Sequence, residues 1–198
     1  VAADINLESL ERSLQNLDLN LVNNESIKLQ EIDLNDIMAV RDMFEKLDGL
    51  SGAVNCSYPR NENFGKHFFD VCLEDFNENM SLNLGSSFLF MQQCAAYFKK
   101  NETPFSLVNI SSIYGVIAPK FEIYDKTSMT TPVEYAAIKS ALIHLSKYVV
   151  NYVSDSKFRI NCVSPGGIFD NQPEDFINAY KVNTYGNGML DVSDVCGG

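Results

Sequence analysis

Tyr135 and Lys139 stand four residues apart in Val133-Glu-Tyr-Ala-Ala-Ile-Lys-Ser-Ala-Leu-Ile-His-Leu-Ser-Lys147. On a helix this spacing turns a phenol and an ammonium to one face. A tyrosine with an ordinary pKa of about 10 is a poor base at neutral pH, but an adjacent cation favours the phenolate and brings the group into a useful range. The pair can therefore build a proton-transfer catalyst in which the lysine serves the tyrosine. An amphipathic helix without any chemistry would show the same spacing, and with nine tyrosines in 198 residues one such match can arise by chance.

Two neighbouring segments bear on the choice. Leu107-Val-Asn-Ile-Ser-Ser112 reads as a short buried strand that ends in hydroxyls, followed by Ile-Tyr-Gly115. Arg159-Ile-Asn-Cys-Val-Ser-Pro-Gly-Gly-Ile168 reads as a second apolar strand that runs into a turn whose glycines let a ligand approach the backbone. The carboxyl ends of strands are where an open α/β sheet collects its chemistry.

The elements that must position these residues alternate along the chain. Val1-Ala-Ala-Asp4 looks like the end of a strand, and Leu7, Leu10, Leu14 and Leu17 recur at helical spacing. Ile27 to Ile32 alternates as a strand, Asp36 to Leu47 is amphipathic, and Gly52-Ala-Val-Asn-Cys56 is a short apolar strand. A long helical stretch from Val71 to Lys99 precedes the Leu107 strand, the Val133 helix and the Arg159 strand. Such alternation predicts an α/β fold, a doubly wound parallel sheet with helices on both faces, in one domain over residues 1–198.

Composition narrows the function classes. Hydrophobic residues make up 45% of the chain without a run long enough to span a membrane as a helix. A net charge of −11 argues against electrostatic binding to nucleic acid or anionic lipid. The five cysteines show no Cys-x-x-Cys spacing, and Cys56 and Cys162 sit in apolar strand-like contexts that suit reduced, packed thiols and a cytoplasmic location. The two histidines, His67 and His144, are not spaced as zinc ligands, so metal catalysis is not expected.

Asn109-Ile-Ser-Ser112, Tyr135-x-x-x-Lys139 and Asn161-Cys-Val-Ser-Pro-Gly166 together resemble the short-chain dehydrogenase/reductase family over nearly the whole chain. Within it, Ser111 to Tyr124 and Pro132 to Leu142 are most similar to members that modify flagellin in nonulosonic-acid sugar pathways. The resemblance implies a Rossmann-type fold and a nicotinamide-dependent oxidoreductase that interconverts a secondary alcohol and a ketone, on a sugar or nucleotide-sugar. It implies that Tyr135 exchanges the proton, that Lys139 lowers its pKa and binds the nicotinamide ribose, and that Ser112 bonds the reacting oxygen, with Ser111 as the alternative. Asn83 matches the asparagine that holds a water in the family's proton relay, although a solvent-facing asparagine remains the alternative.

Asp4, at the end of its strand, matches an acidic residue that accepts from both adenosine ribose hydroxyls and repels a 2′-phosphate, so NAD is preferred with NADP as the alternative. Asp4 could instead cap the Leu7 helix, a task open also to Asn6. Asp33 and Leu34 match the adenine-contacting pair, Asn55 the loop after the fourth strand, and Pro165, Gly166 and Ile168 the turn beside the nicotinamide. Tyr114 and the insertion holding Lys120, Glu122 and Tyr124 overhang the cleft as candidate substrate contacts, or else elaborate a surface or a subunit contact. A homo-oligomer built through the Asn83 and Tyr135 helices is expected.

Departures from the family pattern are also present. Asn55-Cys-Ser-Tyr58 stands where the family has Asn-Asn-Ala-Gly, and the larger Ser57 and Tyr58 would narrow the passage beside the cofactor. Asp170 replaces a threonine and would set negative charge near a phosphate, so it is left out of the site. The family's first strand and glycine-rich turn are not in the sequence, so the chain is expected to be a piece truncated at both ends, lacking the strand that joins the two halves of the sheet. A nucleotide-sugar epimerase or dehydratase of the same fold and a noncatalytic nucleotide-binding member remain as alternative functions.

Overall fold

The computed structural model describes residues 1–15 and 27–197, so Leu17 of the first helical pattern lies outside the described residues. Strand β1 (Ala2–Asp4) pairs in parallel with β2 (Leu29–Glu31), Ala2 opposite Leu29 and Asp4 opposite Glu31, and helix α1 (Leu7–Gln15) follows β1. Helix α2 (Ile37–Lys46) leads to β3 (Gly52–Asn55), which pairs in parallel with β4 (Phe105–Ile110), itself parallel to β5 (Phe158–Val163). Between β3 and β4, helix α3 (Leu73–Asn79) runs through a π-helical turn (Met80–Gly85) into α4 (Ser86–Asn101). Helix α5 (Val133–Val153) joins β4 to β5, and α6 (Glu174–Val182) and α7 (Val192–Val195) follow.

Local chemistry sets several of these boundaries. The Asp36 side chain accepts from the amides of Met38 and Ala39, which supplies partners for two otherwise orphaned donors at the start of α2. Helices α4 and α5 end on residues with left-handed backbone, Glu102 at φ 54° and Ser154 at φ 53°. Residues of β4 alternate between buried and half-buried, as expected of a central strand covered on both faces. Its Phe105 stacks on Phe158 of β5, and Phe98 of α4 closes over Phe158. Val40, Phe44, Met91, Leu107 and Leu142 complete this core between α2, α4, α5 and the sheet.

The five strands among the described residues form two parallel sheets, β1-β2 and β3-β4-β5. A cavity of 490 Å³ lined by Ala3, Asp4, Val54 and Asn55 lies between the edges of β1 and β3. Two readings of the sequence need correction. The apolar strand read through Cys56 stops at Asn55, and Cys56 is exposed rather than packed. Asn55 causes the stop, because its Oδ1 accepts from the backbone N–H of Ser57 at 3.1 Å and from the Ser57 hydroxyl at 2.6 Å, turning the chain out of the ladder. A second apolar cluster was also not anticipated, in which Phe176 and Tyr180 of α6 pack with Ile123 from the insertion after β4.

Candidate active site

The carboxyl ends of β4 and β5 and one face of α5 converge on a cavity of 650 Å³. Ser112, Tyr114, Tyr135, Lys139, Pro165, Gly166 and Ile168 all line it. The Ser111 hydroxyl donates to the Lys139 carbonyl at 3.0 Å and so ties the end of β4 to the middle of α5. Gly115 makes the same approach possible, since a Cβ there would lie 2.7 Å from both the carbonyl carbon and oxygen of Lys139. Ser112 is buried, and its Oγ accepts from the Tyr114 amide at 3.2 Å, which leaves its own hydroxyl proton to donate elsewhere.

Lys139 is buried, and its Nζ donates to the carbonyl of Ile110 at 2.7 Å. An ammonium carries three donors, so two remain for other partners. Desolvation pushes its pKa below the ordinary lysine value, against the opposing pull of the Cys56 and Cys162 thiols. Nζ sits 5.6 Å from the Tyr135 ring centroid and 5.5 Å from that of Tyr58. The four-residue spacing thus does bring phenol and ammonium to one cavity wall.

The remaining expected site residues are distributed differently. Asp4, Asp33, Leu34 and Asn55 line the 490 Å³ cavity, which adjoins the first at Cys56, Ser57 and Tyr58. Asp4 Oδ1 accepts from the Asn6 amide at 2.8 Å, and Asn6 Oδ1 accepts from the Ser9 amide at 2.9 Å. Asn6 therefore caps α1, and the second oxygen of Asp4 has no partner among the described residues. Asp33 Oδ1 accepts from the Asn35 amide at 2.8 Å, so Asp33 is a turn residue and a cavity residue at once. Asn55 uses its amide on the Ser87 hydroxyl at 3.3 Å and its carbonyl on Ser57, which gives it a role in shaping the loop.

Asn83 is buried within the π-helical turn and donates to the Pro59 carbonyl at 3.4 Å. It lies beneath the loop after β3 and is not on the wall of the Tyr135 cavity. A π-helical turn widens a helix by one residue and is a frequent mark of functional positions. From the insertion, Tyr124 lines the cavity with its hydroxyl 2.7 Å from that of Thr131 and 3.5 Å from that of Tyr114. Burial raises the Tyr114 phenol above its usual range. Lys120 and Glu122 are not on the cavity wall, and Lys120 bonds Asn183 at 3.4 Å.

Sequence reasoning did not single out Arg60, Gln172 or Tyr180, all of which line the Tyr135 cavity, and it treated Tyr58 only as an obstruction. The Tyr58 ring stands edge-on to Tyr135 with centroids 5.7 Å apart and edge-on to Phe64 at the same separation. Desolvation, with the neighbouring Tyr135 phenol, raises its pKa. The Arg60 guanidinium carbon lies 4.9 Å from the Tyr58 centroid. Asn61 locks this loop to α3, its amide donating to Asn79 Oδ1 at 2.9 Å and its side chain to Glu78 at 2.7 Å. Further along the loop Lys66 pairs with Asp75 at 2.9 Å, which with the Cys72 and Asn63 bonds holds the Asp75 carboxyl down to about 2.

A family model described as Enoyl-(Acyl carrier protein) reductase matches residues 2–184. The chain is 37% identical over 160 residues to the post-translational flagellin modification protein A of Campylobacter coli, covering 80% of this chain and 62% of that one. It thus spans less than two thirds of that relative's length. A short-chain dehydrogenase from Leptospira borgpetersenii, solved with bound NAD+, superposes with a TM-score of 0.76 at 31% identity, over 89% of this chain and 68% of that one. A gluconate 5-dehydrogenase from Burkholderia cenocepacia superposes with the same score of 0.76 at 18% identity, over 98% and 74% of the two chains, a likeness of fold. On the matched residues and on this fold, the chain belongs to the short-chain dehydrogenase/reductase family.

Proposed function

We propose that the protein is a nicotinamide-dependent oxidoreductase that interconverts a secondary alcohol and a ketone on a sugar or nucleotide-sugar. The observation that carries this reading is the convergence of Ser112, Tyr135 and Lys139 on one cavity, with the Lys139 ammonium 5.6 Å from the Tyr135 ring. The sugar class rests on the likeness to the flagellin modification protein. A homo-oligomer and a cytoplasmic location go with the family reading.

The residues present fit such a cofactor at both ends. Asp4 and Asp33 each keep one carboxylate oxygen without a partner among the described residues and line one cavity, where a ribose diol could donate to them. Lys139 keeps two ammonium donors for a second ribose, and the turn of Pro165, Gly166 and Ile168 flanks it. Carboxylates at the first end oppose a 2′-phosphate and so favour NAD over NADP. The cofactor, when bound, supplies hydride exchange with the substrate carbon.

The chain's own residues do the rest. Ser112 donates its hydroxyl proton to the reacting oxygen and fixes its position. Tyr135 gives a proton to that oxygen in reduction and takes it back in oxidation. The Lys139 ammonium stabilises the phenolate, and because its own burial lowers its pKa it also gives up a proton more readily than a surface lysine. Asn83 would steady a water behind the Pro59 loop in a relay to the exterior.

The test is Tyr135→Phe in the complete protein. Turnover should fall by about 10²- to 10⁴-fold, the usual range for loss of a general acid–base group. NADH affinity by fluorescence titration should stay within error. Unchanged turnover would remove Tyr135 from the reaction.

A further inference from the structure

Among the described residues the wall of the Tyr135 cavity contains two cations, Arg60 and Lys139, and no carboxylate, although the chain carries 26 acidic residues against 15 basic ones. Lys139 already donates to the Ile110 carbonyl from its buried position. Arg60 is exposed, and none of the ion pairs among the described residues includes it. Its guanidinium carbon lies over the Tyr58 ring, whose own edge-on partner is Tyr135. A stacked guanidinium keeps its in-plane N–H fork free, and that fork matches the two oxygens of a phosphate or carboxylate.

The loop around Arg60 is also held still. Asn61 is fixed to Asn79 and Glu78, Asn63 to Asp75, and Lys66 to Asp75. An arginine set on such a scaffold gives up little further conformational freedom on binding an anion. The carboxylates of Asp4 and Asp33 line the other cavity, and the acidic group that acts on Tyr58, Glu134, is buried behind the wall rather than on it.

We propose that Arg60 binds an oxyanion of the substrate, phosphate or carboxylate, beside Tyr58 at the open side of the reaction cavity. This rests on the dehydrogenase reading above and narrows its substrate to an anionic polyol. Tyr58 then serves twice, as the platform that orients the guanidinium and as the wall that sets the distance between the anionic group and the carbon presented to Tyr135.

The experiment is calorimetric titration of the complete protein, with and without saturating NADH, using inorganic phosphate in one arm and acetate in the other. Saturable binding of one of these anions is expected, and the arm that binds tells phosphate from carboxylate. Arg60→Gln should weaken it roughly tenfold or more, the usual worth of a charge-assisted bond, with Arg60→Lys between the two. NADH affinity and the unfolding midpoint should not change in either variant, since Arg60 is an exposed loop residue. Equal anion affinity in Arg60→Gln, absence of saturable anion binding by the unsubstituted protein, or a parallel fall in NADH affinity would each overturn the assignment. Failure of NADH to bind the unsubstituted protein would count against the dehydrogenase reading instead, while the titration without NADH still decides the role of Arg60.

Discussion

The two cavities of this protein are built by different means. The Tyr135 cavity is walled by the ends of β4 and β5 and by α5, elements whose inner faces belong to the main core through Phe105, Leu107, Leu142 and Phe158. The Asp4 cavity is bounded by the two-stranded β1-β2 sheet, where Ala3 and Asp4 are exposed and α1 buries no residue. On the first side the side chains are placed by packing over long sequence separations, as in the bonds that Ser111 donates to the Lys139 carbonyl and Lys139 donates to the Ile110 carbonyl. On the second they are placed by local turns, Asp4 to Asn6 and Asp33 to Asn35. A reaction needs the precision that packing gives, whereas a ribose diol needs only an acceptor in reach, so substitutions on the two sides should separate chemistry from affinity.

After Tyr135, the largest expected effect on the reaction side is at Ser112. Ser112→Ala should lower kcat by about two to three orders of magnitude, the range for loss of one donor at a reacting oxygen. Steady-state kinetics of the complete enzyme would show it with KM for NADH nearly unchanged. A fall in NADH affinity comparable to the fall in kcat would erase the proposed division between the cavities. Gly115→Ala comes next, because its new methyl group would meet the Lys139 backbone at 2.7 Å on a helix that cannot yield as a side chain would. It should cost about 1–3 kcal/mol of stability by urea denaturation and lower turnover by displacing Lys139. If stability fell without any change in turnover, the contact would position the fold alone.

The same contrast explains what could be read from the sequence. Helix α5 and strand β4 were legible because a buried face imposes a period on the residues, and the Tyr135–Lys139 spacing follows that period, whereas Ser112 was preferred to Ser111 only through the family resemblance. The loop from Tyr58 to Lys66 was not, since its shape depends on Asn61 meeting Asn79, a pairing without a periodic signature. Cys56 was misread because an apolar run does not reveal that Asn55 will capture Ser57 and end the strand. The π-helical turn around Asn83 shares its composition with ordinary helix and showed only as an asparagine within a helical pattern. Helix α6 escaped because its apolar contact is with an insertion rather than with the sheet, chiefly through Phe176 and Tyr180.

On the Asp4 side the expected effect is smaller and falls on cofactor choice. Asp4→Asn removes one negative charge from a cavity that Asp33 also lines. NADPH affinity should rise by about tenfold while NADH affinity falls only a few-fold, as measured by paired fluorescence titrations. A variant with unaltered NADPH affinity would mean that Asp4 does not face the 2′ position.

The smallest effect comes from the buried charge itself. Lys139 is pushed below the ordinary lysine pKa mainly by desolvation, so between its lowered folded value and its unfolded value the unfolded chain holds the proton more often than the folded one. Stability contributed through this group therefore rises with pH across that window and is lost as pH falls back through the folded value. Lys139→Met removes this pH dependence. Urea unfolding of both proteins near neutral pH and just below the ordinary lysine value, at about pH 10, should move the stability difference in favour of the lysine at the higher pH. A difference that does not move would mean that the Ile110 carbonyl compensates the ammonium in full, and the reaction cavity would then owe its order to that single bond rather than to a desolvated charge held ready for Tyr135.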